Sequence, residues 1–313
     1  MRIRALIAGV RTYLPGFNWQ QKMRESMGGT DSARYCFTVW LRHLKLAHDS
    51  GLCASVPARV AELGPGNSIG TGLAALLSGA QSYTGLDLMA YTDLRSNLRI
   101  FDELVELFRQ RAPLPGPDEF PAVKPHLSSY DFPEDLVPQL DGRRVDLIRR
   151  SIETPSSPES VIRYAAPWDR GASVDQGCID MIFSQAVLEH VDDLVTAYAA
   201  MASWLAPNGF VSHQIDFKSH GVTREWNGHW AQSDFAWSLV RGRQPCLINR
   251  EPHSTHKRLL LESGFQVMCD RPHHSPSQLE RRKLAKQFAH LSDLDLTTSG
   301  AFIQARLGRG ARA

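Results

Sequence analysis

The sequence predicts an α/β fold, a mostly parallel sheet with helices on both faces. Three observations carry that expectation. Short apolar runs alternate with longer helical patterns along the 313 residues, and parallel strands need such crossovers between them. The first run, Val60-Ala61-Glu62-Leu63, passes through Gly64-Pro65-Gly66-Asn67-Ser68-Ile69-Gly70 straight into a helical pattern. The second run, Ser82 to Leu88, ends on a carboxylate, Asp87.

Residues 1 to about 55 precede this unit as an N-terminal helical extension. Met1 to Arg11 is basic and mildly amphipathic. It leaves its role open between contact with an anionic membrane face, packing on the domain and a frayed end. Its apolar centre is too short for a signal peptide. Asp31 or Ser32 can cap a helix on which Phe37, Trp40, Leu41, Leu44 and Ala47 recur at helical spacing, and Gly51 closes it.

The glycines of the 64–70 turn permit positive φ and let a ligand approach the main chain without meeting a Cβ. The next helix aims its unpaired N–H groups at the same spot. An acid about 20 residues further on is the usual partner for ribose hydroxyls. A nucleoside site is therefore expected.

Ile69, Leu73, Leu76 and Leu77 form the apolar face of that helix, closed by Gly79, and Asp93 to Phe108 repeats the pattern. The chain then turns proline-rich from Ala112 to about Pro138 and polar as far as Pro158. This reads as an insertion at about 109–160 with short helices, a lid or acceptor-binding element, or else as a disordered linker.

Val161 to Tyr164 is the expected third strand and Ile179 to Ser184 the buried fourth. Val191, Leu194, Tyr198, Met201 and Leu205 share a helix face that stops at Pro207-Asn208-Gly209. Phe210 to Phe217 is the fifth strand, Phe265 to Val267 the sixth and Gly300 to Leu307 the last.

Composition narrows the class. A hydrophobic content of 42% and a formal charge of +2 suit a globular protein and give no global field for nucleic acid. Five scattered cysteines without a C-x-x-C pair fit a reducing compartment, and no apolar run reaches membrane-spanning length. A cytoplasmic location is expected.

The E-L-G-P-G string at 62–66 and the D-x-I-x-S-x-x-V-L-E-H-V string at 180–191, with L-x-P-x-G before the fifth strand, resemble motifs of class I S-adenosylmethionine-dependent methyltransferases. The resemblance covers roughly residues 56 to 307 outside the insertion. It implies a Rossmann-like seven-stranded sheet whose last strand is antiparallel, in a domain spanning 56–313. It also implies S-adenosyl-L-methionine as cofactor, with Gly64 and Gly66 beneath it, Glu62 near its amino end and Asp87 on its ribose. Ser184 and Gln185 fall at the cofactor edge. Two departures stand out. Ser68 occupies the family's third glycine position, and Tyr164-Ala165-Ala166-Pro167-Trp168 lacks the acid that contacts adenine. Trp168 is left to stack on the base or to pack as an apolar side chain.

If the acceptor is a hydroxyl, a base should take its proton, and histidine suits neutral pH. His190 and His220 compete for that role, with a histidine that shapes the loop as the alternative for His190 and an exposed loop residue for His220; Asp216 either orients a neighbour or is a turn carboxylate. The Asp216-to-His220 string with Asn249-Arg250 downstream resembles a subgroup associated with surface-polysaccharide assembly, which implies a small-molecule, glycan or glycolipid-precursor acceptor. Some relatives bind a divalent ion through E-x-x-E-H plus a distant histidine. Ala186 replaces the first acid here, so no metal is expected. Trp226, His229, Trp230 and Trp237 would form either a sugar platform or core packing, and His253, His256, His273 and His274 are expected on the surface. A catalytically silent binding or scaffold protein on the same fold is the alternative. A nicotinamide dehydrogenase is disfavoured by the glycine spacing and by the last strand.

Overall fold

Successive side chains of a strand point to opposite faces, and the apolar runs use both. The computed structural model describes residues 1–14, 29–168, 174–244 and 246–308. Its strands are Arg59–Leu63 (β1), Ser82–Leu86 (β2), Ile162–Ala165 (β3), Ile179–Gln185 (β4), Leu205–Asp216 (β5), Phe265–His274 (β6) and Thr298–Leu307 (β7). They form one seven-stranded sheet in the order β3-β2-β1-β4-β5-β7-β6. The first five are parallel, while β7 runs antiparallel between β5 and β6. This is the Rossmann-like architecture expected, antiparallel last strand included. The strand order reverses between β1 and β4, so ligands belong at the carboxyl ends of these two strands.

The helices are Ile3–Arg11 (α1), Ala33–Asp49 (α2), Gly70–Ser78 (α3), Leu94–Arg109 (α4), Gly142–Glu153 (α5), Leu194–Trp204 (α6), Asp234–Arg241 (α7), His253–Glu262 (α8) and Asp293–Thr297 (α9). Val60, Met181 and Phe183 face one core with α2, α3, α4 and α5. Ala61 and Ile182 face the other, with Leu194, Tyr198 and Met201 of α6 and Leu259 and Leu260 of α8.

α2 starts where Ser32 accepts a hydrogen bond from the Tyr35 N–H at 3.3 Å. It is not a loose appendage. Phe37, Trp40 and Leu41 are fully buried, each worth roughly 1.5–3 kcal/mol of burial. The Trp40 indole donates to Ser78 Oγ at 2.8 Å. His43 Nδ1 meets Ser212 Oγ of β5 at 2.6 Å, and Gln304 of β7 donates to that same hydroxyl at 2.9 Å and to the His43 carbonyl at 3.1 Å.

The proline-rich stretch is packed rather than a linker. Leu114, Leu127, Phe132 and Leu136 join the core that holds α2, and Phe132 stacks against Phe37 with centroids 6.2 Å apart. Prolines bar helices here, while large apolar side chains still have a surface to cover.

β5 begins at Leu205 instead of Phe210, because Leu205 pairs with Ile179 and a register shift absorbs the irregularity before Met181. β6 continues past the expected Val267 to His274 and tolerates Pro272 because it is an edge strand.

Two histidines expected on the surface are interior. His253 is 5% exposed and its Nε2 meets Asp270 Oδ1 at 2.8 Å. His256 is fully buried, with Nδ1 2.9 Å from the Tyr198 hydroxyl. Both have polar partners brought by distant segments, which offsets part of the cost of burial, although His256 Nε2 has none among the described residues. Of the aromatic group, Trp230, His229 and Trp237 are buried packing residues.

Candidate active site

Gly64 and Gly66 adopt φ of 64° and 73°, the left-handed region where a Cβ is disfavoured. A Cβ on Gly64 would also come within 2.7 Å of Val187. These torsions turn the Gly66 N–H toward the end of β2, where it donates to Asp87 Oδ2 at 3.1 Å, while Leu88 N–H donates to Oδ1 at 2.8 Å. The glycine turn and the carboxylate are thus in direct contact. Burial raises Asp87 to about 6, opposed by the N–H groups of Gly66, Leu88 and Met89 and by the Tyr164 hydroxyl. A carboxylate has about four acceptor positions; Gly66 and Leu88 hold one each, and a ribose diol would take the other two in place of Met89 and Tyr164. Asp87 is 4% exposed, so the diol would enter only as those two groups move aside.

Glu62 lies beneath the turn. It is 2% exposed and accepts from the Tyr83 hydroxyl at 2.7 Å. Gly72 makes room for that tyrosine, since a Cβ on Gly72 would come within 2.1 Å of its ring. Burial lifts the Glu62 carboxyl to about 8, against hydrogen bonds from Tyr83, Thr71 and the Gly72 backbone.

Ser68 has a structural reason for replacing a glycine. Its hydroxyl accepts from Gly70 N–H at 3.1 Å at the start of α3 and donates to the Thr30 carbonyl. Its N–H donates to Thr30 Oγ1 at 3.2 Å. Thr30 therefore sits over the turn, 3.5 Å from where a Gly66 Cβ would be.

The other expected cofactor residues divide. Gln185 stands at the open end of β4 and donates to Gln214 Oε1 at 3.0 Å. Ser184 is fully buried and tied to His213 Nδ1 at 2.8 Å. Trp168 donates its N–H to the Asp87 carbonyl at 3.0 Å, but its ring packs edge-on against Trp204 with centroids 5.9 Å apart.

The ends of β4 and β5 bring the second group together. Leu188–His190 is a single 3-10 turn, held by the Asn249 side chain, which donates to the carbonyls of Leu188 and Val191 at 2.8 Å each. His220 Nε2 lies 3.6 Å from Asp216 Oδ2, and the His190 and His220 rings meet edge-on with centroids 5.1 Å apart. Burial raises Asp216, yet His220 and Lys218 outweigh it and hold the carboxyl below its ordinary value. Burial, then His220, lowers His190 to about 4, so it stays neutral at pH 7.

Glu189, His190 and His220 also place ligand atoms within 4.8 Å of one another. One carboxylate and two imidazoles could hold a divalent transition metal. Glu189 is 2% exposed, and its Oε2 has no partner among the described residues.

A cavity of about 130 Å³ adjoins this group, lined by Tyr35, Lys124, Gln185, Gln214, Asp216 and Lys218 among others. Sequence reasoning missed Tyr35, Lys124 and Gln214. Gln214 carried a signal, since it stands two residues before Asp216 on one strand. Tyr35 and Lys124 arrive from α2 and the proline-rich segment by tertiary packing, which no local pattern announces.

No protein-family model and no curated protein matches the chain. Several solved structures are similar. An S-adenosylmethionine-dependent methyltransferase from Mesorhizobium loti is 15% identical, with 82% of this chain and 94% of that one covered and a TM-score of 0.42. A putative sarcosine dimethylglycine methyltransferase from Galdieria sulphuraria is 12% identical, with 87% and 86% covered and a TM-score of 0.45. Haemonchus contortus phosphoethanolamine N-methyltransferase 2, in complex with S-adenosyl-L-methionine, is 14% identical with a TM-score of 0.44; the match covers 97% of this chain and 56% of that one. Likenesses of this degree stand as similarities and carry nothing further. The strand order and directions define the fold.

Proposed function

We propose that the chain is an S-adenosylmethionine-dependent methyltransferase that methylates a hydroxyl on a small molecule, glycan or glycolipid precursor. The observation supporting it most is the Asp87 carboxylate turned onto the Gly66 N–H at the switch point of the sheet. The bound cofactor would supply an electrophilic methyl group. Gly64 and Gly66 would let it lie on the main chain, Asp87 would hold its ribose and Gln185 would border it. Glu62 would support the turn from below.

His220 is the better base of the two histidines, because it is exposed and paired with Asp216, whereas His190 is half-buried and held neutral. With Nε2 toward Asp216, Nδ1 is left to accept the acceptor's proton as the new bond forms. Asp216 then stabilises the imidazolium, and His190 fixes the ring that it touches. Such general-base assistance contributes about 10²–10⁴ in rate.

Calorimetric titration with S-adenosylmethionine and its homocysteine product tests the reading. Sub-millimolar binding of either supports it, and the absence of binding by both overturns it. Thr30 over the glycine turn and the absent acid after β3 favour a silent, non-catalytic variant as the second reading. Cofactor binding without turnover on any hydroxyl acceptor would select that one.

A further inference from the structure

α1 has two apolar faces, and only one is used by the fold. Ala5 and Leu6 pack with Val222, Trp237, Val240 and Ile248. Gly9 is buried so tightly on α7 that a Cβ would come within 2.2 Å of the Leu239 and Val240 carbonyl oxygens. Arg2 N–H donates to the Val222 carbonyl at 2.9 Å, and Arg243 N–H donates to Thr12 Oγ1 at 2.8 Å. The helix is therefore fixed in rotation about its axis.

That rotation leaves a second stripe outward. Ile3, Ile7 and Val10, with Leu14 just beyond the helix, follow one another at helical spacing, and they are 73%, 47%, 45% and 59% exposed. Arg4 and Arg11, two turns apart, flank the stripe on one side. Phe235 on the adjoining α7 is 75% exposed. Beside the start of α1 an open groove of about 670 Å³ is lined by Met1, Arg2, Ile3, Arg4, Arg224 and Glu225. None of Arg2, Arg4, Arg11 and Arg224 forms an ion pair among the described residues.

We infer that α1 is an interfacial anchor that lays this stripe into an anionic lipid surface, with its arginines on the phosphate headgroups. The charge argues for this occupant. An apolar stripe bordered by arginine matches the boundary between acyl chains and anionic headgroups. A second copy would instead set the same cationic border against itself across a two-fold axis. The anchor is independent of the methyltransferase reading.

Co-sedimentation of the full chain with phosphatidylcholine vesicles, with and without phosphatidylglycerol, tests it. The chain should pellet with the mixed vesicles only, and added salt should weaken binding. Arg4→Ala with Arg11→Ala should reduce the partition coefficient by about fivefold for each arginine removed. Ile7→Asp with Val10→Asp should abolish binding, and circular dichroism should show the fold kept, since both side chains face solvent. The inference is overturned if the wild type does not pellet, or if it pellets equally without the anionic lipid. It is also overturned if the aspartate pair pellets like the wild type, or if light scattering shows the stripe joining two copies instead.

Discussion

Glu62→Gln is the most informative change at the glycine turn, because its effect on stability has a computable sign. The carboxyl is enclosed under the turn and raised from 4.5 to about 8, chiefly by burial. A raised folded-state pKa means that the folded chain holds a proton which the unfolded chain has released. Stability is therefore undiminished below pH 4.5 and falls as pH rises through the window up to about 8. By linkage that loss reaches about 3 kcal/mol at pH 7 and about 5 kcal/mol once the group is ionised in both states. Asp87, raised from 3.8 to about 6, adds a loss of the same sign that is complete near pH 6. Above that point Glu189 and the thiols of Cys36, Cys53 and Cys246, all pushed up by burial, add slope of the same sign. Glu62 is therefore read from the difference between wild type and variant. Glutamine keeps an oxygen for the Tyr83 hydroxyl and never ionises. Urea unfolding followed by tryptophan fluorescence should show the wild type losing about 3 kcal/mol more than the variant between pH 6 and pH 9. Parallel profiles would refute the claim that burial keeps this carboxyl neutral. The variant should also bind S-adenosylmethionine within about tenfold of the wild type, since Glu62 is engaged by Tyr83 below the turn.

Asp87→Asn should weaken S-adenosylmethionine binding by about 1.5–3 kcal/mol, read by calorimetry, because hydrogen bonds to a charged acceptor are lost. His220→Ala should lower turnover by about 10²–10⁴ with cofactor affinity unchanged, and His190→Ala should lower it less, measured by transfer of labelled methyl to acceptor. Turnover should survive dialysis against EDTA; loss restored by manganese or cobalt would make Glu189, His190 and His220 ligands instead. Gly72→Ala should destabilise the fold by about 1–3 kcal/mol by thermal melting, because its methyl would strike the Tyr83 ring.

The two halves of the site differ in how far the chain announces them. The glycine turn and Asp87 were legible because strand, turn and helix are neighbours in sequence, and the local torsions need glycine. His190, Asp216 and His220 were legible as strand-end residues, but their convergence depends on the order of β4 and β5 and on Asn249, which pins the 190 turn from 59 residues away. Burial of His253 and His256 was hidden for a related reason. A histidine reads as polar until its partner is known, and Asp270 and Tyr198 are supplied by other elements. The packing of Thr30 over the turn left no periodic trace at all. Ser68, which looked like a weakened motif, is the residue that makes that packing possible.

The chain of polar contacts from α2 to the middle of the sheet bears on how far the chain can be shortened. His43 fits between the rings of Phe183 and Phe302, and with Ser212 and Gln304 it joins the helix to β5 and β7. Trimming the protein back to the first strand would strip an aromatic surface bare and leave a serine and a glutamine stranded in it. The shortest version able to fold on its own has to start ahead of residue 33, even though the nucleoside motif begins almost thirty residues later.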